Sequence, residues 1–90
     1  MALHLIYSVQ GLNACLLRRC TNDPILLLGD GVYASRNWPE TSIPKAHARM
    51  LAADCQARGI NSVFESIETV DYAGFVELTE QYSPIVSWKD

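Results

Sequence analysis

Ile25-Leu26-Leu27-Leu28-Gly29-Asp30-Gly31 carries four consecutive aliphatic residues straight into an aspartate held between two glycines. An apolar run without polar alternation is what a strand covered on both faces requires. Ahead of it, Thr21-Asn22-Asp23-Pro24 stops any helix, because proline pushes the residue before it out of the α region and has no N–H to donate. Behind it, two glycines around an acid make a tight turn. A buried strand framed in this way points to a parallel sheet with helices on its faces, and the rest of the chain agrees with it.

Toward the N-terminus, Leu3-His4-Leu5-Ile6-Tyr7 is rich in strand formers and runs into Ser8-Val9-Gln10-Gly11, which reads as a turn. From 12 to 20 the apolar residues Leu12, Leu16 and Cys20 recur every four, and Arg18 and Arg19 sit late, where a helix C-terminus favours cations. Toward the C-terminus, Val32-Tyr33-Ala34 opens a short helix, and 35–45, with Pro39 and Pro44 and neither period, reads as a surface excursion. Residues 48–52 read as a third strand. Asp54 is placed as the N-cap of a short helix that Gly59 ends. Residues 66–70 form a fourth strand, Asp71 caps a helix through Tyr72, Phe75 and Leu78, and Ile85-Val86-Ser87-Trp88 is a fifth strand after Ser83-Pro84. Alternation of strand and helix over 1–90 predicts one α/β domain with a mostly parallel sheet of about five strands between helix layers.

The chain has 90 residues, 49% of them hydrophobic and 19% charged, with a net charge of −3. That balance excludes intrinsic disorder. A domain of this size buries only ~60–65% of its unfolded surface, which leaves apolar surface for a partner. The acidic balance supplies no basic field for a phosphate backbone, so no direct nucleic-acid contact is expected. Three cysteines at irregular spacing give no disulfide framework, no signal segment is legible, and no apolar run approaches the ~20 residues of a membrane span. A soluble protein of the reducing cytoplasm is the expectation.

A thiolate is the strongest nucleophile this composition offers. Cys15 has Arg18 and Arg19 at the helical i+3 and i+4 positions, where cations favour a thiolate. Cys55 follows Asp54 in a first helical turn. The plainer reading, a cysteine acting as a small buried hydrophobe, stands ahead of the reactive one for Cys15 and further ahead for Cys20 and Cys55. His4 and His47 have no metal-ligand spacing around them and read as ordinary structural or surface residues; no metal and no cofactor are expected. Asp30 lies where α/β sheets bind ligands, at the carboxyl end of a buried strand, yet no complete phosphate loop is present. Its plainer role is a turn acid that caps the following helix. Gly31 and Tyr33 share that position. Tyr33, Trp38 and Trp88 lie near turns or the terminus, as interface candidates, and Trp88 equally suits the edge of the core.

The opening Leu3-His4-Leu5-Ile6-Tyr7-Ser8, the block Leu26-Leu27-Leu28-Gly29-Asp30-Gly31-Val32-Tyr33-Ala34, Ala57-Arg58-Gly59, and Val70-Asp71-Tyr72-Ala73-Gly74-Phe75-Val76-Glu77-Leu78-Thr79 with Trp88 together resemble the TusB/DsrH family. The resemblance runs in the right order over nearly the whole chain, and departs from the family in a shortened middle segment and a Trp38-Pro39 loop. It implies a three-layer α/β/α domain of the DsrEFH kind, one of three homologous subunits of a cytoplasmic hetero-hexamer with TusC/DsrF-like and TusD/DsrE-like partners and a TusE/DsrC-like sulfur acceptor. In the Tus branch such a complex passes persulfide sulfur toward 2-thiouridine at the tRNA wobble position; in the Dsr branch it serves sulfur oxidation. The main sulfur-carrying cysteine then belongs to the TusD/DsrE-like subunit. DsrH-type members also carry a first-helix cysteine at a fixed distance before the aspartate-glycine pair, and counting back from Asp30 reaches Cys15.

Three readings follow: a sulfur-relay subunit with Cys15 as candidate persulfide acceptor, a module binding a small anion near Asp30 and Gly31, and a purely structural subunit with Trp88 as an interface anchor. Exposure of Cys15 and an open crevice beside 29–33 discriminate among them.

Overall fold

The computed structural model describes residues 1–20, 22–39, 42–60 and 67–89. Five strands, β1 (Leu3–Ile6), β2 (Ile25–Leu27), β3 (Ala48–Leu51), β4 (Glu68–Val70) and β5 (Ile85–Trp88), form one sheet in the order β4-β3-β2-β1-β5. Every pairing is parallel; His4 lies opposite both Ile25 and Val86. Between the strands run α1 (Val9–Leu16), a 3-10 helix (Gly29–Asn37), a 3-10 turn (Lys45–His47), α2 (Ala52–Ala57) and α3 (Tyr72–Gln81).

The strand order explains the layers. The sheet grows in one direction from β1 to β4 and then returns to β5 on the far side of β1. Right-handed crossovers place the outgoing connections on one face and the returning helix on the other. On the outgoing face, Leu12 and Cys15 of α1, Val32 and Ala34 of the 3-10 helix and Cys55 of α2 pack over Ile6, Ile25, Leu27, Ala48 and Met50. On the return face, Phe75 and Leu78 of α3, with Tyr82 beyond its end, lie over Leu3, Leu5, Leu26 and Leu28. The 25–28 run therefore divides its side chains between two cores, as its lack of alternation predicts, and the fold is a three-layer α/β one. Each such fully buried Leu or Ile contributes ~1.5–3 kcal/mol relative to exposure.

Several boundaries correct the sequence reading. Residues 8–11 are not a turn: the Ser8 hydroxyl accepts from the Gly11 amide at 2.9 Å and caps α1. The helix ends at Leu16, where the Arg18 and Arg19 amides both fold back on the Cys15 carbonyl. Cys20 is thus outside the helix, and helical spacing does not govern it. Gly11 is required because a Cβ would run into the Trp88 carbonyl, and Gly31 because a Cβ would overlap the Ile6 carbonyl. These two contacts press α1 onto β5 and the 3-10 helix onto β1.

The 35–45 stretch is no surface excursion where it is described. Ser35 and Ile43 are buried, and the Trp38 indole donates to the Ile43 carbonyl at 2.8 Å, folding the stretch back on the core. α2 begins at Ala52 with Leu51 as N-cap, so Asp54 is an internal residue of its first turn. Asp71 does cap α3, accepting from the Gly74 amide at 2.8 Å. Strand β3, strand β5 and the Gly59 stop also stand as read. The start of the predicted 66–70 strand lies outside the described residues; β4 begins at Glu68.

Candidate functional site

At the carboxyl end of the sheet, β2 delivers Gly29 to the start of the 3-10 helix. Its amide donates to Asp54 Oδ2 at 2.7 Å, so a carboxylate from α2 occupies the place an anion would take. Asp30 does not cap the helix. Its exposed carboxylate accepts from Arg58 Nε at 3.0 Å, and Arg58 also reaches Asp54. The bond to Asp30 raises the Arg58 pKa above its ordinary value, with the charges of Asp30 and Asp54 adding to it. Gly31 is buried against β1. Tyr33 lies under the Arg36 guanidinium, 5.3 Å from its ring centroid, acts on Arg58, and borders a hollow of about 240 Å³ beside Val9, Leu12 and Pro39. Asp30 and Tyr33 thus both act on Arg58, while Gly31 has no side chain and serves the close packing on β1.

Cys15 lies elsewhere. α1 runs back from the carboxyl end, so its penultimate residue faces the core near the amino ends of the strands. The Cys15 thiol is fully buried and its pKa is pushed up to about 11, chiefly by burial; Arg19 lowers it and Asp23 raises it. Arg19 alone of the two expected arginines acts on the thiol, and burial outweighs it. Cys55 is also buried, its pKa raised first by burial and then by Asp54, and its Sγ lies 3.8 Å from Met50 Sδ. Cys20, expected to be buried, is the exposed cysteine.

Beside Cys15 lies an arrangement that the sequence reading passed over. His4, 4% exposed in β1, places Nε2 at 2.9 Å from Asp23 Oδ2, and the Trp88 indole donates to its Nδ1 at 2.9 Å. An indole N–H only donates, so Nδ1 accepts and the ring proton sits on Nε2, pointed at Asp23. The same Asp23 oxygen accepts from the Cys20 amide at 3.1 Å. Burial alone would raise the Asp23 pKa, but the bonds from His4 and the Cys20 amide bring it below the ordinary carboxylate value. Arg19 Nη2 donates to the Asp23 carbonyl at 2.8 Å and lies 3.5 Å from His47 Nδ1. The line Trp88–His4–Asp23 ties β5, β1 and the approach to β2 together. It contains no nucleophile. Its one signal in the sequence is a polar residue within a strand of aliphatics, since a buried imidazole must find partners and the parallel register supplies them from segments 19 and 84 positions away.

Among the described residues, no group of three or more His, Cys, Asp or Glu could hold a metal ion, and no helix is long and apolar enough to cross a membrane. Comparison with curated proteins returns no match. The sequence model of a family described as "DsrH like protein" matches residues 7–85, a span that takes in Cys15, the 26–34 block and the 70–79 block. With most of its length matched on a five-stranded parallel sheet, the chain belongs to the DsrH-like family.

Proposed function

We propose that this chain is a subunit of a cytoplasmic sulfur-relay complex that passes persulfide sulfur toward 2-thiouridine at the tRNA wobble position, with homologous TusC/DsrF-like and TusD/DsrE-like subunits and a TusE/DsrC-like acceptor. The observation that carries the reading is the family match over residues 7–85. The net charge of −3 suits a subunit that hands sulfur to proteins and leaves RNA to others. The burial of Cys15 supports placing the main sulfur-carrying cysteine on a partner. A first-helix cysteine at the DsrH spacing favours a second reading of the destination, a sulfur-oxidation carrier complex.

Within either reading Cys15 is the thiol assigned to accept sulfur on this chain. Its thiolate attacks the outer sulfur of a donor persulfide, the donor S–S bond breaks, and the donor leaves as a thiolate that takes up the proton Cys15 gave. Cys15 then carries the sulfur as a persulfide with no net oxidation or reduction. Burial adds a condition: the last turn of α1 opens before the step. Co-expression with homologous partners followed by light scattering tests assembly, and a chain that stays alone under those conditions overturns the subunit reading. Intact-protein mass after a persulfide donor tests the thiol. In a Cys20→Ser background, which removes the exposed thiol, the chain gains one sulfur and adding Cys15→Ser abolishes that gain; an unchanged adduct removes Cys15 from the relay.

A further inference from the structure

The amino end of the sheet holds a hollow of about 380 Å³ on the return face, between the last turn of α3 and the 3-10 turn before β3. Among the described residues one helix, α3, packs on this face, and it ends at Gln81. The lining of the hollow includes the apolar Leu3 and Leu78 of the return-face cluster together with Arg49, His47 and Tyr82. No acidic side chain lines it among the described residues, although the chain as a whole has 10 acidic and 7 basic residues.

The polar part of the lining is built to donate. Arg49 is held in place by Nη1, which donates to the Ala46 carbonyl at 3.0 Å and the Ala48 carbonyl at 2.8 Å, while Nε meets the exposed Glu68 at 3.3 Å. No described residue bonds to Nη2. His47 Nδ1 faces Arg19, which only donates, so the His47 ring proton sits on Nε2. A guanidinium fixed on two carbonyls, an imidazole N–H and a phenol beside the apolar Leu3 and Leu78 fit a ligand with an anionic head and a short apolar body, and the size falls within the ~300–1,000 Å³ of small-molecule sites. The geometry points to this hollow as a binding site for a small monocarboxylate with an aliphatic or aromatic tail, head on Arg49 and tail against Leu3 and Leu78. It lies at the opposite end of the sheet from the 29–33 turn.

The test uses the full chain and amide NMR titration with hexanoate, with acetate as head alone and hexylamine as tail with the charge reversed. Hexanoate is expected to shift the amides of Leu3, Ala46, Arg49 and Leu78, to bind at least ~10-fold more tightly than acetate, and hexylamine to leave them unmoved. Arg49→Gln is expected to weaken hexanoate by ~10-fold or more, about 1.4 kcal/mol. Leu78→Trp, which fills the hollow and keeps every cation, is expected to abolish binding with the spectrum otherwise folded, so the test survives even where Arg49→Gln fails to fold. Equal binding of acetate and hexanoate, binding of hexylamine, or undiminished binding in Leu78→Trp overturns the proposal.

Discussion

The two faces of the sheet are built to different standards. The outgoing face buries residues from β1, β2, β3, α1, the 3-10 helix and α2 in one cluster, and closes with Trp38 and Trp88 at its margin. The return face has four buried residues under α3, Leu3, Leu5 and Leu26 in strands and Leu28 just past β2, and α3 itself contributes no buried residue. Tyr72 is 72% exposed and Val76 40%, both on the outer side of α3, and Ile85 of the edge strand is 43% exposed. The first face is the larger core. The second leaves apolar surface that a lone globule of this size would hide, as suits a subunit that completes its burial in an assembly.

The largest effect that breaks this contrast comes from the centre of the outgoing face. Leu27→Ala, at a side chain with no exposure, is expected to cost ~3–5 kcal/mol in urea unfolding. A loss below about 1 kcal/mol would mean that the face is not tightly packed. Thiol labelling sharpens the same point. Cys20 is expected to alkylate readily in the native protein, and Cys15 and Cys55 slower by on the order of a hundredfold or more, the factor that an opening cost of about 3 kcal/mol sets. The raised pKa of Cys15 gives this face a pH signature. Because the folded state holds the thiol proton up to about pH 11 while the ordinary value is 9.0, the folded chain binds more protons between those values, and stability falls as pH rises through them. Cys15→Ala is expected to flatten that limb.

Smaller effects test the seams. Trp88→Phe keeps an aromatic ring but strands His4 Nδ1 without its donor, at an expected cost of ~1–3 kcal/mol, read by urea unfolding with the Trp38 signal retained. On the return face Phe75→Ala removes a half-buried ring and is expected to cost ~1–2 kcal/mol, less than full burial would give. Tyr72→Ala is expected to stay within ~0.5 kcal/mol of wild type in the isolated chain. A large loss there would show that α3 is anchored by its outer side, and the contrast between the faces would disappear.

Much of this architecture was legible because it rests on local signals. The Ile25–Leu28 run announced two covered faces, Asp71 announced its helix, and the alternation of strands and helices announced a parallel sheet. The misses share a cause. Ser8 and Gly11 are as good in a turn as at a helix start, and only the close packing of Gly11 on Trp88 decides between them. Ile43, between proline-rich neighbours with no period, gives no sign that Trp38 will draw it inward. The bond from Asp54 to Gly29 and the His4 line join residues far apart in sequence, which no local pattern encodes. Cys15 is buried, as the plainer reading of it expects; the arginine four residues on lowers the thiol pKa but desolvation overrules it.

One further consequence follows from β5 lying beside β1. The strands that open and close the chain are neighbours in register, yet parallel, so Leu3 adjoins Ile85 at one end of the sheet and Ile6 adjoins Trp88 at the other. A linker joining the two ends in a circular permutant must therefore span at least the strand length, ~13 Å for four residues. Met1 lies against the hollow, whereas Lys89 lies at the opposite end of the sheet, beside Tyr7. A dye or tag at each end would report on opposite poles of one sheet.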